Sequence, residues 1–153
     1  MFLTSHATAA VLIAEQIHSP TLAFALGWLS HYLLDMIPHG DDELLTNLPR
    51  RAFLVAFTKI AALDALIMLG WLWFLLGRGA IALTPATGAA IVGSLLPDIL
   101  NGVYLVTRSR LIEWNHRVND WAHTAIIKKP LPPVQGFFIQ AIFFLLLAVY
   151  LVG

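Results

Sequence analysis

Cysteine is absent from the 153 residues, and charge is scarce, with Asp, Glu, Lys and Arg together making up 12% of the chain. The first absence excludes disulfides and thiolate sites. The second comes with nine basic and nine acidic residues that cancel to a formal net charge of zero, so nothing points to nucleic acid as a partner. Internal repeats, low-complexity tracts and a compositional break between domains are also missing, and residues 1–153 are read as a single domain. Met1 to Ile17 has neither a basic leader nor a small-residue cleavage site, and Ser5, His6, Glu15 and Gln16 interrupt its apolar residues. That stretch is expected to belong to the folded protein and not to be a signal peptide.

What remains is mostly hydrocarbon. Apolar residues make up 59% of the chain, and the runs at residues 52–76 and 134–152 exceed what the core of so small a soluble domain can hide. The expected fold class is all-α: an integral membrane helical bundle with four or five transmembrane helices plus an interfacial helix. A short first helix covers residues 3–17, and Ser19 with Pro20 supplies a cap and a first-turn proline for a second helix to about Ile37. Pro38, His39, Gly40, Asp41, Asp42 and Glu43 break the pattern, Asp41 to Glu43 reading as a solvated acidic turn. A long span from Ala52 to Leu76 follows. Thr84 and Pro85 repeat the cap signal for a helix to about Val106. Residues 108–127 are polar and amphipathic, with Trp114 and Trp121 suited to a membrane interface. Val134 to Val152 forms the last apolar helix.

Sidedness follows from the cations. If every apolar segment crosses, Arg50, Arg51, Arg108, Arg110, Arg117, Lys128 and Lys129 share one side and Arg78 lies on the other. The first side is then expected to be the cytoplasmic face of the cell inner membrane. The first helix is the exception, since its length suits a re-entrant segment better than a full span.

Against this background the ionisable residues converge. At about 1.5 Å per helical residue, Asp35 lies about 22 Å from Pro20 and Asp98 about 20 Å from Pro85, so the two carboxylates reach similar depth. His31 sits one turn from Asp35, and His6 starts the first helix on that side. His39 and Asp41 lie in the adjoining loop. His116, Asp120 and His123 follow one another at i, i+4 and i+7. Taken singly, each has a bland explanation. His31 with Asp35 could be an interhelical hydrogen bond, Pro97 a kink that frees the Gly93 carbonyl, and His116 to His123 a solvated face. Asp64, midway along the third span, is expected to face the bundle and contact Asn101 or Lys59. Taken together, the bland explanations must all hold at once, whereas ionisable groups at membrane depth are costly and usually functional. Imidazole and carboxylate suit zinc or a harder divalent ion such as manganese, which lowers the pKa of a bound water to about 7.

Gly27-Trp28-Leu29-Ser30-His31-Tyr32-Leu33-Leu34-Asp35-Met36-Ile37-Pro38 resembles a block of the bacterial inner-membrane metal-dependent hydrolases of the LexA-regulated type. Ser5 with His6, Leu95 to Asp98, and His116, Arg117, His123 and Thr124 are similar to further blocks of that family. The positions of its next aspartate and histidine are Leu100 and Asn101 here. A weaker similarity of His, Asp and Pro spacing links the chain to zinc-dependent phospholipase C proteins. The resemblance implies hydrolysis with a divalent metal ion, zinc or manganese. The expected metal ligands are His6, His31, Asp35 and Asp98, closed by His116 or His123. His39 and Asp41 are the expected proton-transfer groups, and Arg50, Arg51 and Arg117 are expected to hold a phosphate. The expected substrate is a membrane lipid or lipid-linked ester or phosphoester. A proton-coupled or metal-ion transporter and a non-catalytic membrane subunit are the alternatives. The first requires polar groups continuing across the membrane, and the second requires direct imidazole to carboxylate hydrogen bonds.

Overall fold

The computed structural model describes residues 1–40, 45, 47–126 and 131–153, and these are helical with no strand. Six α-helices follow in order: α1 Leu3–Gln16, α2 Pro20–Asp35, α3 Arg50–Gly77, α4 Pro85–Thr107, α5 Glu113–Thr124 and α6 Pro133–Val152. A 3-10 turn, Arg110–Ile112, leads into α5. The two cap signals act as expected. Ser19 Oγ accepts the Leu22 N–H at 3.4 Å and Thr84 Oγ1 accepts the Thr87 N–H at 3.1 Å, each ahead of a proline in the first turn.

Three helices, α3, α4 and α6, are long and apolar enough to cross a membrane. Their outward faces carry what a bilayer solvates, with Leu66, Trp73, Leu146 and Val149 all exposed. The 14 residues of α1 and 16 of α2 are shorter than the roughly 20 that a full span needs. Yet α1 is the most enclosed helix, and α2, α3, α4 and α6 all pack on it. Small side chains make this possible. Ala10, Ala14, Ala23, Ala86 and Ala90 form one buried cluster where α1, α2 and α4 meet.

The α2–α4 contact is the tightest in the bundle. A Cβ on Gly27 would lie 2.3 Å from the Ala90 carbonyl oxygen, and one on Gly93 would lie 2.3 Å from that of Phe24. Gly27→Val is therefore expected to lower stability by about 1–3 kcal/mol or prevent folding, because the clash is with main chain. Gly70→Ala, on α3 with nothing within 4 Å of the added Cβ, should be neutral or gain about 0.5–1 kcal/mol. Reversible unfolding in detergent measures both, and equal losses from the two would mean that the glycines do not set the helix separation.

Packing also fixes direction. Ala23 on α2 clusters with Ala86 and Ala90 on α4 and, two turns on, His31 meets Ser94 and Asp98, so α2 and α4 run parallel and bring Asp35 and Asp98 to one end. α1 runs against them and starts at that end. Asp64 explains where it starts. Instead of contacting Asn101 or Lys59, the Asp64 carboxylate accepts the N–H groups of Leu3 at 2.5 Å and Thr4 at 3.3 Å and the Thr4 hydroxyl at 2.6 Å. No side chain of its own caps α1; α3 supplies the cap. Asp64 is the fifteenth residue of a 28-residue helix, so α1 begins level with the middle of α3.

Candidate metal centre

Where α1 starts and α2 ends, the buried polar groups collect. His6, His31, Asp35 and His39 are each 3% exposed or less. Asp35 is the hub. Its Oδ1 lies 3.2 Å from His6 Nε2 and 4.0 Å from His39 Nε2, and its Oδ2 lies 3.2 Å from His31 Nε2. Asp98, 25% exposed at its side chain, stands 3.9 Å from His31 Nε2. The Met1 amino nitrogen reaches 2.6 Å from Asp35 Oδ1 and 2.8 Å from His39 Nε2. The His6 and His31 rings stack at 4.3 Å, and those of His39 and His123 approach to 4.7 Å.

Hydrogen bonding fixes which histidine nitrogens are available. A carbonyl can only accept, so the ring nitrogen facing one carries the proton. His31 Nδ1 donates to the Ser94 carbonyl at 2.9 Å, His39 Nδ1 to that of Ile37 at 2.6 Å, and His123 Nδ1 to that of Asn119 at 2.8 Å. In the neutral imidazole Nε2 then carries the lone pair, which in His39 meets the Met1 amino group at 2.8 Å, and such a carbonyl partner is the usual support of a metal-binding histidine. At His31, Nε2 likewise faces oxygens that can only accept, Asn119 Oδ1 at 3.2 Å and the carboxylates of Asp35 and Asp98. Oxygens gathered around Nε2 in this way call for positive charge on it, from a proton or a metal ion. His6 makes the same demand more strongly, because both of its ring nitrogens, like Asp35 Oδ2, are buried with no hydrogen-bond partner. Orphaned buried polar atoms of this kind call for an explanation.

Two sets of donors could hold a metal ion: His6, His31 and Asp98, and Asp35, His39 and His123, the donor atoms within each set lying within 4.8 Å of one another. Of the expected ligands, His6, His31, Asp35, Asp98 and His123 are therefore together, joined by His39, which was expected to move protons. His116 stands apart. Its Nδ1 pairs with Asn101 Oδ1 at 2.9 Å, its Nε2 lies 3.5 Å from Asp120, and its ring stacks on Tyr104. Asp41 lies outside the described residues. The arginines are not at the centre: Arg50 donates to the Val106 carbonyl at 3.3 Å, Arg117 pairs with Glu113 at 2.8 Å, and Arg51 is exposed.

No family model, curated protein or solved structure matches this chain.

The site's supports include residues with no charge to mark them. α5 buries Asn115, Asn119 and Ala122, a face rotated by one residue from the expected His116, Asp120 and His123. Asn115 donates to the Pro97 carbonyl at 2.9 Å and accepts the Tyr32 hydroxyl at 2.9 Å, tying α5 to α4 and α2. Gln140 on α6 accepts the Phe2 N–H at 2.9 Å and donates to the His39 carbonyl at 2.8 Å. Gly136 lets the His39–Gly40 backbone lie directly against α6, where an added Cβ would come within 2.2 Å of the His39 carbonyl oxygen. The i, i+4 spacing of Asn115 with Asn119 is the signal that could have found the inner face of α5.

A cavity of about 480 Å³ adjoins the centre, within the range of small-ligand sites. Phe53, Phe57 and Ile60 of α3 and Ile99 and Leu105 of α4 give it apolar walls. Asp98, His123, His116 and Asp120 line its polar side. One wall can take a hydrocarbon chain while the other meets a polar head group.

Proposed function

We propose that this protein is a membrane-embedded, metal-dependent hydrolase that acts on a lipid-linked ester or phosphoester at the cytoplasmic side of the inner membrane. The observation that carries this is His6: a fully buried imidazole with neither nitrogen bonded, 3.2 Å from a carboxylate to which it is not aligned. A structural polar cluster in a membrane protein is held by direct hydrogen bonds; Met1 and Asn119 supply such bonds to Asp35 and His31, but both His6 nitrogens and Asp35 Oδ2 have none. A divalent ion, zinc or manganese, fits the donors, and when bound it would supply Lewis acidity and an activated water at neutral pH.

The chain's own groups do the rest. The apolar walls of the cavity hold the hydrocarbon part of the substrate and bring its polar end to Asp98 and His123. His116, with Nδ1 held by Asn101 and Nε2 beside Asp120, is placed to give a proton to a leaving oxygen. Transport is less well supported. Beyond the centre, α1, α2 and α4 are packed through alanines, which offer no polar path along their contact.

Elemental analysis of the detergent-purified protein, supplied with divalent ions and kept from chelators, is the test. Near-stoichiometric zinc or manganese is expected, lost in a His31→Ala, Asp35→Ala double variant of matched folding. A metal-free wild type would end this assignment and leave the histidines as packing or proton-transfer groups.

A further inference from the structure

We propose that the centre binds two divalent ions joined by the Asp35 carboxylate, one on His6, His31 and Asp98 and the other on His39 and His123, and that this pair takes a phosphoester anion. This deepens the metal assignment above and rests on it.

The two donor sets share no residue, and each is compact on its own, with donor atoms within 4.8 Å of one another. A catalytic ion commonly takes three protein donors and keeps one position open. Six donors in two separate trios are one set too many for a single ion. Asp35 links the sets. It belongs with His39 and His123, yet both of its oxygens also lie 3.2 Å from histidine nitrogens of the other trio, Oδ1 from His6 and Oδ2 from His31. A carboxylate so placed can be shared by two cations, which in two-metal hydrolytic sites stand roughly 3.5–4 Å apart.

The supports are duplicated too. His31 in one trio and His39 and His123 in the other each give Nδ1–H to a different main-chain carbonyl, so that Nε2 is the donor turned to the cluster. The Met1 amino group, bonded to Asp35 Oδ1 and His39 Nε2, already places positive charge at the second position, and the second ion would take its place there.

Charge then selects the substrate. Two divalent ions outweigh the carboxylates that would hold them, Asp35 and Asp98, while the other carboxylates of the lining are engaged elsewhere, Asp64 at the start of α1 and Asp120 beside His116. Among the described residues, the cavity is lined by no lysine or arginine. The ions would be the chief attraction for an anion there, and a phosphoester oxygen neutralises the excess where an uncharged carboxylic ester does not.

Metal stoichiometry and manganese electron paramagnetic resonance on the full chain in detergent test this without an activity assay. Two ions per chain are expected, with a spin-coupled manganese signal. His39→Ala and His123→Ala should each hold one ion and show an uncoupled spectrum. Inorganic phosphate should bind the wild type loaded with two ions at least about tenfold more tightly than either one-ion variant. One ion in the wild type, unchanged by these substitutions, would overturn the two-ion centre while sparing the metal assignment. No ion at all would overturn both. Phosphate binding that ignores the second ion would remove the substrate class. The wild-type measurements decide the ion count even if a variant fails to fold.

Discussion

Asp35→Asn is expected to lower divalent-metal affinity by well over the roughly 100-fold that loss of a mere supporting contact can cause. Asparagine keeps the shape of the side chain, so the packing of α2 against α1 and α4 need not change. What goes is the negative charge facing His6 and His31 at 3.2 Å. If a metal is what those nitrogens await, the loss appears in affinity. If instead the histidines are imidazolium groups paired with Asp35 as structural glue, they are stranded together with the Met1 amino group, and stability should fall by about 3–5 kcal/mol with metal content unchanged. Metal titration and denaturant unfolding of the chelator-treated variant separate the two. A large stability loss with no change in metal content would sink the metal centre.

The helical layout was legible because its signals are local. Ser19-Pro20 and Thr84-Pro85 each combine a side-chain acceptor with a ring that lacks a donor, and both begin helices where expected. The apolar runs at α3 and α6 likewise need only composition, and α3, α4 and α6 meet the requirement for spanning. The short helices did not read as clearly. α1 and α2 are apolar enough to look like spans, but their length makes them shorter members of a bundle whose longer helices face outward.

The site was legible wherever charge marked it. His6, His31, Asp35 and Asp98 could be brought together by counting rise along α2 and α4, because both helices start from the same end. Asp64 was visible as a charge midway along an apolar span, but its partners were not, since they are main-chain N–H groups at the start of α1. Backbone donors leave no trace in a residue list. α5 shows a related limit. Charged residues drew attention to the His116 face, whereas the neutral amides of Asn115 and Asn119 occupy the interior, where an uncharged hydrogen-bonding group is far cheaper to bury. The arginines stand as the reverse case, charges whose proximity in sequence does not bring them to the cavity.

Asp64→Ala is expected to be the most damaging single change remote from the histidines, destabilising the protein by about 3–5 kcal/mol. α1 has no side-chain cap of its own, and its start would lose the acceptors that Asp64 gives to two N–H groups and to the Thr4 hydroxyl. The carboxylate also sits at the positive end of the α1 dipole, where a negative charge is favoured. Freed of this anchor, Leu3 and Thr4 would leave α3, and the shift would pass along a single turn of α1 to His6. Metal affinity should therefore fall together with stability, although Asp64 belongs to neither donor set. Asp64→Asn keeps an oxygen that can accept one of these bonds and should recover part of both losses. Thermal unfolding and metal titration of the two variants provide the check. If alanine weakens metal binding no more than asparagine does, Asp64 does not position His6, and the start of α1 is held by its packing against α2 and α4 alone.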